Sequence, residues 1–262
     1  MREPLFEILR SRELLTELTL RELRIRYKQT ALGALWAVFT PVLMMLLFST
    51  IFARVAKIDT GAVPYAIFVY CGLLPWQFFA SSVKNATESL TRNNRLVTKI
   101  YLPREVFPLS NVLSSLVDFC VASLVLVGLM AWYRFAPPLG GLVWLPAILC
   151  VQLAFTIGLS LLLSMSNLFF RDVKYVLEVG LLVWMFATSV VYPINPGEIG
   201  GWGWLLLLNP MTPIVDAYRQ ALLHGQPPSP LGFAYAAAIA AAAFAYGLKW
   251  FHEAEYLFAE RV

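Results

Sequence analysis

Four groups of side chains in this sequence have types and spacings that point to chemistry. Arg24, Arg26 and Lys28 crowd one stretch near the N-terminus, where guanidinium and ammonium groups can hold phosphate oxygens. Retention of basic residues on the cytoplasmic side of a membrane predicts the same three positions, so the phosphate reading and the bland one both stand. Asn85, Glu88, Arg92, Asn94 and Arg95 belong to a polar run from Lys84 to Lys99. Asn85 followed by Glu88 is an acceptable helix start, and the run is either a solvated loop or a docking helix for a partner that pushes on the membrane helices. Trp36, Phe39, Trp184 and Tyr192 stand among many rings in apolar segments. Such rings form interfacial belts, or they line a conduit on whose flat faces sugar rings slide. Asp118 is an acid inside an apolar stretch, where a charge costs about 2.5 to 3.5 kcal/mol on insertion scales. It is either a hydrogen-bonded acid joining helices or a functional group. No second intramembrane charge is evident to complete a relay, which argues against a proton-coupled carrier.

Other chemistries lack their residues. The sequence holds no G-x-x-x-x-G-K-[ST] phosphate loop, no H-E-x-x-H and no G-x-S-x-G, and its two histidines, His224 and His252, are far apart. Cys71, Cys120 and Cys150 lie in apolar runs without paired spacing, which suggests neither a disulfide framework nor a metal site. No cofactor is expected on this chain. If energy drives it, another chain supplies that energy.

The elements that position these residues follow from composition. Of 262 residues, 59% are hydrophobic and 14% charged, whereas a soluble domain carries about a quarter charged residues. Long unbroken apolar runs exclude the alternating strands of an outer-membrane barrel, and the charged start excludes a secretory signal peptide. The expected fold is therefore an all-α membrane protein with six transmembrane helices, at about 33–53, 63–83, 106–133, 142–165, 175–193 and 231–250. An N-terminal segment, 1–32, precedes this transmembrane domain, 33–251, and a tail, 252–262, follows it. Leu20, Leu23 and Tyr27 recur at helical spacing beside Arg21, Arg24 and Lys28, and Thr19 with Glu22 fits a capping box, so an amphipathic helix lies in the headgroup plane there. Such a helix is a passive anchor or a contact for a partner. With both termini cytoplasmic, sixteen Lys and Arg lie inside and four outside, Arg54, Lys57, Arg134 and Arg219. The net charge of +4 thus follows the membrane and does not point to nucleic acid. Between Pro193 and Pro230 the apolar runs are too short to span, which suggests short re-entrant helices on the outer face carrying Asn209, Asp216 and Arg219.

Four segments resemble ABC-2 type permeases that export polysaccharides, the O-antigen and teichoic-acid exporter group. They are residues 24–37 (RIRYKQTALGALWA), 99–105 (KIYLPRE), 167–173 (NLFFRDV) and Asn209-Pro210-Met211 with Arg219 beyond. The resemblance covers roughly residues 20–250. It implies a homodimer with two copies of a separate ATP-binding cassette subunit, which holds the ATP and Mg. It also implies an amphipathic helix over 19–29 at the cytoplasmic membrane edge, ATPase docking over 85–97, and re-entrant helices over 197–223 at the outer mouth. The implied cargo is a polysaccharide on a polyprenyl diphosphate carrier, crossing the bacterial inner membrane. Capsular polysaccharide, or a small lipid or drug, is the alternative cargo. A lipid-modifying membrane enzyme would need clustered His, Asp or Glu near the membrane face, and none is clustered in the sequence.

Overall fold

The computed structural model describes residues 11–28, 30, 32–55, 63–94, 96, 103–193 and 208–259. Among them the fold is all helix, without a strand. Helix α1 is Arg12–Tyr27, α2 Trp36–Phe48, α3 Tyr65–Arg92, α4 Val106–Trp132, α5 Leu145–Phe169, α6 Val173–Phe186, α7 Met211–Arg219 and α8 Pro230–Ala259. A 3-10 turn, Gly33–Leu35, opens α2, and a one-turn helix, Leu139–Leu142, precedes α5.

Five of these segments are long and apolar enough to cross a membrane: Gly33–Phe52, Tyr65–Arg92, Val106–Trp132, Leu139–Phe169 and Pro230–Ala254. The expected span at 175–193 is shorter as a helix. α6 has 14 residues, about 21 Å at 1.5 Å per residue, and the chain then turns out of helix through Thr188, Ser189, Val190 and Val191, all buried.

α3 is the centre of the bundle, with 78% of its most apolar stretch buried inside the protein against 17% for α2 and for α8. One core cluster runs from Ile67, Tyr70 and Phe79 of α3 to Ile148 and Phe155 of α5, Ile214 of α7, and Ala236 and Ala240 of α8. A second joins Leu18 of α1, Leu90 of α3, Phe107 of α4, Leu161 and Met165 of α5, and Phe251 and Ala254 of α8. Both α5 and α8 therefore run from the first cluster toward the second. Their backbones touch at small residues: a Cβ on Gly247 would lie 2.3 Å from the Gly158 carbonyl oxygen, and one on Gly158 would lie 2.5 Å from Ala243. Small residues at such crossings are what membrane helices use to pack, because lipid offers no hydrophobic drive between them.

Buried polar side chains tie the helices crosswise. Tyr70 donates to the Ala122 carbonyl at 3.0 Å, and Asn167 donates to the Thr87 carbonyl at 3.1 Å. Gln152 donates to the Pro75 carbonyl at 2.7 Å and accepts from the Tyr218 hydroxyl at 2.8 Å, so one amide links α3, α5 and α7.

Two local expectations are corrected. The capping box at Thr19 and Glu22 does not form, because α1 already starts at Arg12; Thr19 sits mid-helix and its hydroxyl donates to the Leu15 carbonyl at 2.7 Å. Nor does a helix start at Asn85: α3 runs unbroken from Tyr65 to Arg92, so Asn85, Glu88 and Arg92 ride on its last turns. In both places a longer helix with apolar packing behind it overrides a local start signal.

Candidate functional site

A cavity of about 880 Å³ opens between α1, α2, α3, α4 and α6. Trp36, Trp76, Phe78 and Phe119 supply rings to its wall, and Arg26, Lys84, Asp118 and Glu178 supply its charges. The charges form two ion pairs, each strapping an outer helix to an inner one. Arg26 of α1 pairs with Asp118 of α4, whose other oxygen accepts from the Tyr27 hydroxyl at 2.6 Å; Arg26 also donates to Ser114 Oγ at 3.1 Å. Burial, with the Asp118 carboxylate beside it, pushes the Tyr27 phenol well above its usual range, so it remains a donor. Lys84 of α3 pairs with Glu178 of α6 at 2.5 Å, and this pair is much more exposed: 51% and 60% of the two side chains, against 26% and 20% for Arg26 and Asp118.

Glu178 revises the view of Asp118 as a lone acid, since it is a second carboxylate within the expected fifth span. Its signal was available as one Glu in an otherwise apolar run. Asp118 itself joins helices through a cation from outside the spans, about 18 Å along α4 from Val106.

The opposite end of the bundle is built around Arg219. This side chain is 5% exposed, donates to the carbonyls of Ser189 at 2.5 Å and Val190 at 2.7 Å, and lies 3.7 Å over the Phe68 ring. Asp216, 3.6 Å away, accepts from Ser189 Oγ at 3.0 Å. Asn209 uses every hydrogen-bonding position of its amide: it donates to the Ala187 carbonyl and Thr188 Oγ1, and accepts from Trp184 Nε1 and the Met211 amide. Tyr65 at the start of α3 donates to the Val191 carbonyl at 2.6 Å. These groups satisfy the carbonyls of Ala187 and of the non-helical stretch that follows it, where α6 has stopped at Phe186. Gly72 permits the arrangement, because a Cβ there would lie 2.6 Å from Arg219 Nη2 and 2.7 Å from the Val190 oxygen.

The remaining expected residues scatter. Trp36 lines the cavity; Phe39 packs edge-on against Trp36, with ring centroids 5.5 Å apart. Trp184 is instead packed among Trp76, Phe79 and Phe155, and Tyr192 donates to the Phe186 carbonyl at 2.5 Å. Arg24 and Lys28 are exposed and are not part of the cavity lining. Arg92 pairs with Glu88 one turn back at 3.1 Å, and Asn94 is exposed. Arg95 and the stretch 194–207, including the start of the expected re-entrant segment, lie outside the described residues. Among those residues no three His, Cys, Asp or Glu side chains converge as a metal site would require.

Comparison with known proteins places this geometry. Residues 13–223 match the family described as ABC-2 type transporter. The chain is 31% identical over 253 residues to an O-antigen export system permease protein RfbA of Klebsiella pneumoniae, covering 95% of this chain and 94% of the other. It is 34% identical over 215 residues, 81% of each chain, to the protein of that name from Myxococcus xanthus. It is 24% identical over 212 residues to the polysialic acid transport protein KpsM of Escherichia coli, covering 79% and 80%. A match of this length, on a bundle of membrane-crossing helices around one ring-walled cavity, makes the chain a member of the ABC-2 type transporter family, a multi-pass membrane permease acting as a transport subunit.

Proposed function

We propose that this permease carries a lipid-linked polysaccharide of the O-antigen kind across the bacterial inner membrane, driven by ATP hydrolysis on a separate subunit. The ring-walled cavity carries the reading. Trp36 and Phe119 offer apolar ring faces on which a sugar polymer slides without tight binding, and the nearly buried Trp76 and Phe78 complete the same wall. Two relatives named for O-antigen export point to the cargo. The relative named for polysialic acid transport favours a capsular cargo as the second reading, at lower identity.

The working unit is a homodimer with two ATP-binding cassette subunits. Support comes from the two helices that border the cavity mouth, whose outward faces are apolar: Leu43, Leu46 and Leu47 on α2, and Val176, Val179 and Val183 on α6. A second copy against those faces closes the cavity into a conduit. Six crossings, with both termini in the cytoplasm, fit the course of the chain. α5 and α8 run in the same direction, so the chain must cross back between them. α6 supplies that return, from Glu178 beside Lys84 to Val191 beside Tyr65, and the largely buried α7 folds back at the outer mouth as a re-entrant helix with Asn209, Asp216 and Arg219.

At the cytoplasmic end the last turns of α3, with Asn85, Glu88 and Arg92, and then Asn94 and Arg95, form the ATPase contact. Arg26 on the cavity wall, with the exposed Arg24 and Lys28 beside it in sequence, supplies positive charge for an arriving diphosphate carrier. Deleting the gene leaves lipid-linked polymer inside the cell, read by surface staining against cell extracts; normal surface polymer in the deletion strain overturns the proposal. In the complemented strain, Trp36→Ala removes one ring from the wall and slows export, while wild-type export removes the conduit role of that ring.

A further inference from the structure

The cavity has two cations on its wall, and they are in different states. Arg26 is committed: Asp118 and Ser114 hold it in a half-buried joint between α1 and α4, and Tyr27 donates to the same carboxylate. Lys84 is held by one carboxylate, Glu178, and half of its side chain is exposed. It borders both the large cavity and a smaller one of about 70 Å³ that also contains Glu88, Lys174 and Tyr175. Ser81 and Gln77, one and two turns back along α3, put a hydroxyl and an amide on the same wall. Water screens an ion pair this exposed and leaves it little net stability, so an arriving anion of higher charge can displace the carboxylate at little cost.

We propose that Lys84 is the phosphate ligand of the cavity, receiving the phosphate group of a lipid substrate, and that Glu178 holds its place until the phosphate arrives. The inference rests on the lipid-linked cargo proposed above and gives it a residue that the basic cluster at 24–28 does not contain. Displacing Glu178 also removes a polar tie between α6 and the cavity wall at the moment of loading, leaving the ring packing of Trp184 against Trp76 and Phe79 to hold the two helices together.

The test is binding of fluorescent farnesyl diphosphate, with farnesol as the uncharged control, to the full-length permease in nanodiscs of phosphatidylcholine. Lys84→Gln weakens diphosphate binding about tenfold, the loss of one charge-assisted contact, and Lys84→Arg keeps it. Glu178→Gln strengthens binding, because the competing anion is gone. A merely structural ion pair predicts the opposite or no change for Glu178→Gln. That variant therefore decides the matter even if Lys84→Gln does not fold.

Equal diphosphate binding by wild type, Lys84→Gln and Glu178→Gln overturns the assignment of Lys84 and leaves the cargo reading standing. A wild type that does not separate farnesyl diphosphate from farnesol overturns both. Displacement of the probe by phosphatidylglycerol, dependent on Lys84, assigns the phosphate to a bilayer headgroup; displacement only by diphosphate lipids assigns it to the carrier.

Discussion

Arg219 and Lys84 stand at opposite ends of α3, and the protein treats the two cations differently. Arg219 is buried, its guanidinium spread over two backbone carbonyls, an aromatic face and a nearby carboxylate. Lys84 is exposed, with a single carboxylate across the cavity mouth. A buried charge costs several kcal/mol to desolvate and is kept only where many partners offset that cost, so such a site is rigid by construction. An exposed pair is nearly neutral in energy and can be exchanged. The end built around Arg219 thus sets where α6 stops, and the end built around Lys84 ties α6 to α3 by a pair that can be exchanged. Arg26 with Asp118 lies between these extremes, half-buried and triply bonded.

The largest effect should come from Arg219→Leu. It leaves the buried Ser189 and Val190 carbonyls without their donor and the half-exposed Asp216 without its cation, and removing one side of such a cluster costs about 3 to 5 kcal/mol. The purified variant should melt far below the wild type, or fail to accumulate. A wild-type melting temperature would mean that the two ends do not differ as argued. Gly72→Ala should be next, at about 1 to 3 kcal/mol, because the added methyl meets the guanidinium and a backbone oxygen well inside contact distance. Its melting shift should shrink in the Arg219→Leu background, where the guanidinium is gone and only the Val190 oxygen remains in the way; full additivity would place the strain on that backbone oxygen alone.

Asp118→Asn should cost less, about 1 to 2 kcal/mol. The amide still accepts from Tyr27 but loses the charge that holds Arg26. The loss should be local, read as faster amide exchange over Arg12–Tyr27 with α4 unchanged. Uniform acceleration throughout the bundle would instead make this joint part of the global core.

Much of this organisation was legible in the residues, and the parts that were not share a cause. Apolar length alone located the helices at 33–53, 63–83, 106–133, 142–165 and 231–250, because a bilayer imposes the same thickness on each. The polar ends of helices were harder. The helix start read at Asn85 failed because α3 keeps an apolar face through Val83, Ala86 and Leu90, which bury against other helices and carry the helix past the signal. The short α6 was hidden because its last residues are equally apolar; what stops it is the Arg219 clamp, a contact across 29 to 30 residues of sequence that no local pattern displays. Asp118 and Arg26, 92 residues apart, each stood out alone, and only the fold makes them a pair.

The smallest structural effect, and the sharpest functional one, is expected at the tip of α3. Arg92 is exposed and its partner Glu88 lies one helical turn away on the same helix, an arrangement that contributes about 0.3 to 0.5 kcal/mol at most. Reversal to Arg92→Glu, alone or with Arg95→Glu, should therefore leave the melting temperature where it was. Yet this tip is the proposed contact for the ATPase, and it belongs to the same rigid helix that carries Lys84 and the cavity wall. A push on the tip is then transmitted along α3 directly, with no loop between motor and cavity to absorb it. The reversal should accordingly preserve the assembled complex and its basal ATP hydrolysis while abolishing export, measured as surface polymer. Wild-type export would break the link between that tip and the motor. A large drop in melting temperature would show that this end, like the end around Arg219, is also built for stability.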